Sequence, residues 1–374
     1  MRLVGVINEP PFAPGSWSGT APFFFRSLQR AGALVDALNV KLPRYQDAAM
    51  RALNMRWPLA SWREHYHLDT RMRRLETRSV AKALTTCANG FDSVVQIGAY
   101  YCSPDATDVP CFSYHDGNLA TRIRSGHIAV TPDSSLVRRA LDWERHVYSK
   151  MSRIFTFSRW LARSFVADFG VPESRVVVAG AGINFEQMPA AGVRSEYRPD
   201  FLIVGRDFER KGGKILLEAF PRVRRALPHA TLTIVGPELN NLPEGVRCLG
   251  FLSKADSAQR ERLQQAFREA GAYVLPSLYE PFGISLLEAM ANELPCIVAD
   301  HCAMPEIVAN GTTGLVARPG DSESLAAAMI EIGSSASVAR EFGLAGRLRM
   351  EREFTWDAVA QRVVTAMREA LATG

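Results

Sequence analysis

Two glutamates, Glu280 and Glu288, stand in the stretch Ala272–Met290, and their surroundings differ. Glu280 falls in a polar turn after the apolar run Ala272-Tyr273-Val274-Leu275, whereas Glu288 lies among Ile284, Leu287 and Met290. A carboxylate in so apolar a segment is costly unless it binds something. With one acid before a helix and the other within it, the pair can address different ends of one elongated ligand. Between them, Pro281-Phe282-Gly283 predicts a helix that starts near Pro281, since proline suits the first helical turn. Gly283 allows a ligand to approach the backbone, and the N–H groups of a helix start suit a phosphate.

A second element carries positive charge. The strand-like run Phe201-Leu202-Ile203-Val204-Gly205 precedes Arg206-Asp207-Phe208-Glu209-Arg210-Lys211-Gly212-Gly213 and a helical segment from Lys214 to Phe220. Arg206 and Lys211 thus flank a strand-to-helix turn at the carboxyl edge of a sheet, where open α/β sheets bind ligands. Two cations there can neutralise a diphosphate without a metal. A third element, Pro14-Gly15-Ser16-Trp17-Ser18-Gly19-Thr20-Ala21-Pro22-Phe23, is a Gly/Ser-rich turn between a first strand and a helix. Such a loop offers backbone N–H groups to an anion.

These turns need strands to hold them, and the sequence supplies them. Short apolar runs occur at Leu3–Ile7, Ser93–Ile97, Pro110–Tyr114, Arg153–Phe157 and Arg175–Val178. In the second half they occur at Phe201–Val204, Thr231–Val235, Val246–Phe251, Ala272–Leu275, Cys296–Ala299 and Thr313–Ala317. Strands alternating with helical segments predict an α/β protein with parallel sheets covered on both faces. Each half has enough strands for its own doubly wound sheet, and 374 residues suit two domains. The polar, Pro- and Gly-containing stretch 187–197 reads as the linker between a domain at 1–186 and another at 198–354. After Thr355, a plausible N-cap, Trp356, Val359, Val363, Met367 and Leu371 fall near one face of a terminal helix at 355–374.

Composition narrows the classes. The excess of 44 basic over 39 acidic residues, +5, is too mild to argue for a nucleic-acid partner. The six cysteines form no C-x-x-C pair and mostly sit in apolar runs, which predicts reduced buried thiols rather than disulfides or a zinc site. No apolar run reaches the ~18 residues of a membrane span. The short first run reads as a strand rather than a signal segment, so a cytoplasmic protein is expected. No P-loop, complete dinucleotide fingerprint or G-x-S-x-G elbow occurs, and His65 and His67 are too close for two ligands on one helical face. Residues 51–82 hold eight cations against three acids, again +5, interleaved with Trp57, Trp62, Tyr66 and Leu68. That stretch is either a solvated helical face or a docking surface for an anionic acceptor or the inner face of a membrane.

Together these pieces closely resemble the retaining GT-B glycosyltransferases of the large group 1 family, often called family 4. The resemblance lies in the E-x7-E pair Glu280…Glu288 with Pro281-Phe282-Gly283, the Gly205-Arg206…Lys211-Gly212 turn, and the Trp17-Ser18-Gly19-Thr20 loop. Asn310-Gly311…Gly314-Leu315-Val316 and the final helix with Trp356 resemble that family as well. The likeness is strong from about 150 to 365 and thin from 40 to 90. It implies two Rossmann-like domains facing a central cleft, with the last helix returning to the first domain. It also implies roles. Arg206 and Lys211 would hold the donor diphosphate, and Glu288 the ribose hydroxyls. Glu280 and the backbone at Phe282, Gly283 and Ile284 would hold the transferred sugar. Gly19 and Thr20 would approach the diphosphate, and His115, in Ser113-Tyr114-His115-Asp116-Gly117-Asn118, resembles the family's active-site histidine near the sugar.

The resulting expectation is retaining, metal-independent transfer from a nucleoside-diphosphate sugar, with no cofactor. The acceptor would be a glycan, a lipid-linked sugar or a small molecule. The loops Gly236-Pro237-Glu238 and Gly250-Phe251-Leu252 are candidates for base recognition. The alternatives are a nucleotide-sugar epimerase or hydrolase of the same fold, and a non-catalytic sugar-nucleotide-binding subunit.

Overall fold

The computed structural model describes residues 1–87, 90–192 and 197–373. The chain separates into two compact units, Met1–Ala181 with Trp356–Gly374, and Gly182–Thr355. The divisions fall at 181/182 and 355/356, where the sequence suggested 186/187 and 354/355. Of the expected linker, residues 193–196 lie outside the described residues. Its earlier part leans on the second unit. Arg347 donates to the Pro189 carbonyl at 2.9 Å, and the Gly192 N–H donates to Glu293 at 3.0 Å.

The first unit is built on β1 (Leu3–Ile7), β2 (Leu34–Asn39), β3 (Ser93–Ile97), β4 (Cys111–His115), β5 (Arg153–Thr156) and β6 (Val176–Val178). Their order is β2-β1-β3-β4-β5-β6, all parallel. β1, β3 and β4 are buried along their whole length, as strands covered by helices on both faces must be. β2 was not expected. It is an edge strand that carries Asp36 and loses burial toward its end, so it lacks the continuous apolar run of its neighbours. The terminal helix Trp356–Thr373 belongs to this unit. Trp356 packs on Phe24 at 6.1 Å between ring centroids, and Arg362 donates to the Ala179 carbonyl at 2.7 Å. Val359, Val363 and Met367 are fully buried on its inner face.

The second unit contains β7 (Asp200–Val204), β8 (Thr231–Val235), β9 (Val246–Cys248), β10 (Ala272–Leu275), β11 (Cys296–Ala299) and β12 (Gly314–Ala317). The parallel order β12-β11-β10-β7-β8-β9 reverses between β7 and β10. That reversal is a topological switch point, where the connections after neighbouring strands diverge and leave a crevice at the carboxyl edge. The core beneath it packs Phe201, Leu216, Phe220, Ile234 and Met329. β9 ends at Cys248, earlier than the expected Phe251, because Gly250 turns the chain at φ +68°.

Candidate active site

The loops after β7 and β10 are bound to each other at the second sheet's switch point. The Leu278 N–H donates to the Arg210 carbonyl at 2.8 Å, and the Arg210 guanidinium reaches the Tyr279 carbonyl at 2.5 Å. On this backbone scaffold the Lys211 ammonium lies 2.9 Å from the Glu280 carboxylate. Arg210 at 3.4 Å and the Ser277 hydroxyl at 3.5 Å approach the same carboxylate oxygen. Glu280 is 8% exposed, so its charge is held by neighbours rather than by water. Gly205 makes the arrangement possible. A Cβ at this position would lie 2.0 Å from Lys211 Cδ, so any side chain would push the lysine away.

The helix that follows runs from Ile284 to Ala291, which corrects the expected start near Pro281. Proline tolerates a first helical turn, but Gly283 takes φ +95° and caps the helix, leaving Pro281 and Phe282 in the bend before it. Phe282 is buried and faces Phe354 at 6.2 Å between ring centroids. Gly283 and Ile284 therefore stand where the first turn's main-chain N–H groups begin. Glu288 is 1% exposed on this helix, and its carboxylate is paired with the ammonium of Lys254.

Arg206 lies elsewhere than its expected partner. Its exposed guanidinium stacks over the half-exposed Phe251 ring at 3.7 Å, whereas Lys211 engages Glu280. Arg206 thus meets a loop that the sequence nominated for base recognition.

In the first unit, Trp17, Ser18 and Gly19 take positive φ in succession, 46°, 57° and 85°. Left-handed backbone at two residues with side chains is costly unless the surroundings impose it. Here the Trp17 N–H donates to Glu9 at 2.7 Å, while its ring packs on Tyr114 at 5.5 Å and Phe157 at 5.1 Å. Thr20 is buried just before the helix Ala21–Arg30. His115 closes β4 but turns inward. It is 2% exposed, its ring lies 5.3 Å from Tyr148 and 5.1 Å from Phe165, and Nε2 has no hydrogen-bond partner. Burial lowers the imidazole to about 3, which keeps it neutral near pH 7.

Comparison with known proteins places this architecture. Over the whole chain the structure matches sucrose-phosphate synthase from Thermosynechococcus elongatus, with TM-score 0.70, 17% identity and 100% of each chain covered. The fold is GT-B. Residues 184–349 match the family model described as glycosyl transferases group 1. A glycogen synthase of Mycobacterium tuberculosis is 30% identical over 269 residues, 68% of this chain. A phosphatidyl-myo-inositol mannosyltransferase of Mycobacterium leprae is 27% identical over 245 residues, 62% of each protein. The aligned part spans 61% of that glycogen synthase's length.

Two partners of the GT-B chain's acidic pair escaped the sequence reading. Arg210 is adjacent to Lys211, and its place beside a second cation in a strand-to-helix turn was the available signal. Lys254 is far from Glu288 in sequence and gave no local signal. The basic stretch at 51–82 is also less uniform than its composition suggested. Arg51 pairs with Asp47 at 2.9 Å and Arg71 with Asp69 at 2.7 Å, while Arg73 is buried at 4% exposure.

All six cysteines are free; Cys87 and Cys248 are half-buried and the others buried. Among the described residues, Cys102, Asp105 and His146 bring metal-ligating atoms within 4.8 Å of one another. The Lys150 ammonium occupies Asp105 at 2.5 Å, and burial pushes the Cys102 thiol up to about 12, so this group is an ion-pair network. No helix among the described residues is long and apolar enough to cross a membrane.

Proposed function

We propose that this chain transfers a glycosyl group from a nucleoside-diphosphate sugar to an acceptor hydroxyl, with retention at the anomeric carbon and without an essential metal or cofactor. The observation that carries the proposal is the Lys211–Glu280 pair at the switch point between β7 and β10. The group 1 match over residues 184–349 supports it.

In this reading, departure of the nucleoside diphosphate builds negative charge on its phosphates and positive character on the sugar. Lys211 and the N–H groups behind Gly283 stabilise the departing anion because they are already oriented, and Arg206 joins them by leaving the Phe251 ring on which it stacks in the free protein. The cationic side chains there do the work that a divalent ion does elsewhere. Glu288 accepts from the ribose hydroxyls, with Lys254 keeping its buried carboxylate compensated in the free protein. Glu280 and the backbone at Phe282, Gly283 and Ile284 hold the sugar's hydroxyls.

Glu280 acts as a holder rather than a nucleophile, because Lys211, Arg210 and Ser277 all draw on one of its oxygens. The departing phosphate takes the acceptor's proton as the acceptor oxygen attacks the same face. The first unit's expected contacts, Gly19, Thr20 and His115, belong to the same proposal. His115 serves as a neutral hydrogen-bonding ring, since burial keeps it unprotonated.

The test is a thermal-shift screen of nucleoside diphosphates and their sugars. A ligand at about 100 times its dissociation constant adds about 2.7 kcal/mol of stability. One base should raise the midpoint, and Glu288→Ala should abolish that rise. A screen in which no nucleotide shifts the wild-type midpoint overturns the reading. Donor cleaved equally fast with and without any acceptor supports the hydrolase or epimerase instead. Donor binding with no turnover supports the non-catalytic subunit.

A further inference from the structure

Large apolar side chains scattered singly over a surface need no explanation, but a contiguous run of them does. Between the helices Arg44–Leu53 and Leu59–Leu68 of the first unit, such a run stands in solvent. Leu53 is 60% exposed, Met55 69%, Trp57 91% and Leu59 45%, and Tyr45 on the preceding helix is 72% exposed. These side chains are not the inward faces of their helices. Met50 and Leu68 fill that role, with Met50 packed beside Leu42 and Met72.

The charges around the run have one sign. Arg44, Arg56 and Arg63 are exposed, and none of them pairs with a carboxylate among the described residues. The acids of the segment are already neutralised: Asp47 meets Arg51 at 2.9 Å, and buried Glu64 meets Arg122 at 2.9 Å.

We propose that this corner, Leu53–Leu59 with its flanking arginines, is a knob that seats the protein on an anionic lipid bilayer. A bilayer supplies both of the phases that the corner presents. Trp57, Met55 and Leu53 enter the boundary between headgroups and acyl chains, where an indole is favoured because one side of it is apolar and the other carries an N–H. Arg44, Arg56 and Arg63 remain at headgroup level and meet anionic lipids. A second copy of the chain fits less well, because it would bring the same three arginines against each other. The inference deepens the transferase reading at one point only: the acceptor becomes an amphiphile presented at a membrane surface, rather than a small molecule in water.

The experiment is co-sedimentation of the full chain, without donor, with two kinds of vesicle. One is phosphatidylcholine alone; the other holds about one-third phosphatidylglycerol. The expected result is sedimentation with the anionic vesicles only, weakened about tenfold at high salt. Trp57→Ser with Met55→Ser, and separately Arg56→Glu with Arg63→Glu, should each weaken it about tenfold or more. All four positions are exposed, so an unchanged melting midpoint verifies the fold of each variant.

Three results would overturn the proposal. Wild-type protein left in the supernatant with anionic vesicles is one, and sedimentation undiminished in both double variants is another. The third is a wild-type dimer in solution that Trp57→Ser converts to monomer, since a second copy would then cover the corner. Vesicle binding and nucleotide-induced thermal shift are read separately, so either idea can fail while the other stands.

Discussion

On the carboxyl edge of the second sheet the two buried glutamates each meet a cation, Glu280 with Lys211 and Glu288 with Lys254. In the first unit, buried polar atoms go without partners: Nε2 of His115, Nε and Nη1 of Arg73, and Oε2 of Glu76. Glu76 nevertheless reaches this sheet's carboxyl edge, where Asn8, just beyond β1, donates to it at 3.2 Å. Both sheets are parallel and six-stranded, so architecture does not account for the contrast. The second edge holds compensated charge that a small anionic ligand can exchange without exposing a bare ion. The first holds desolvated groups whose titration costs stability. One region is therefore expected to respond to substitution mainly through turnover, and the other through pH.

The sharpest attempt to break that contrast removes the ammonium. Lys211→Met should lower kcat/KM for transfer by about 10²–10³, the usual loss when one preorganised donor is removed. Gly205→Ala should act through the same group. Its new methyl would meet Lys211 Cδ and displace the ammonium from Glu280 while leaving the lysine in the sequence. We expect a loss of about 10–100-fold, the scale of a small misplacement of a catalytic group. Steady-state rates measure both. Wild-type turnover in either variant would show that the Lys211–Glu280 pair is only structural.

The sequence revealed the second edge better than the first, for physical reasons. β10 and β11 are continuous apolar runs because helices cover both faces, and such runs are visible without tertiary information. Glu280, Glu288 and Lys211 sit in the connections those strands impose, so their places followed from local pattern. What could not be read was pairing across the fold. Nothing near Lys254 announces Glu288, and nothing in the string around Lys211 assigns it to Glu280 rather than to solvent. β2 was missed because an edge strand carrying Asp36 does not look buried. Arg73 was misjudged for the opposite reason. A charge run reads as a wet helical face, yet the helix Thr70–Thr85 turns Arg73 and Glu76 inward. The start of the helix after Pro281 was misplaced because proline's fixed φ is a local cue, whereas the left-handed turn of Gly283 decides where helical hydrogen bonding begins.

The first edge can be probed by pH. Glu76 is raised from 4.5 to about 7, chiefly by burial, with Asn8 and Arg73 opposing. A carboxyl group whose folded pKa exceeds its unfolded value contributes most when protonated. Its contribution therefore declines as pH rises from about 4.5 through 7. At 1.36 kcal/mol per pKa unit, the loss by pH 8 is about 3 kcal/mol. Glu76→Gln removes the titrating proton, so the variant should gain on the wild type between pH 5 and pH 8 in thermal midpoint. Parallel curves for the two proteins would mean that Glu76 titrates as an ordinary carboxylate, and the contrast with the second edge would narrow.

His115 gives the smallest effect and the opposite slope. Burial among Tyr148 and Phe165 lowers it from 6.5 to about 3, so below pH 6.5 the unfolded chain takes up a proton that the folded chain refuses. Stability must then fall as pH drops through 6.5 toward 3, by about 2 kcal/mol at pH 5. His115→Phe keeps a ring against its two neighbours and removes the proton site, so its midpoint should hold steady from pH 7 to pH 5 where the wild type's declines. The same variant separates the residue's two roles. If Nε2 also meets the transferred sugar, His115→Phe will lose turnover at pH 7 although its fold there is intact. If turnover at pH 7 survives while the acid-side decline disappears, His115 is an interior ring of the first unit and nothing more. The first unit's share in the chemistry then falls to the Gly19–Thr20 backbone.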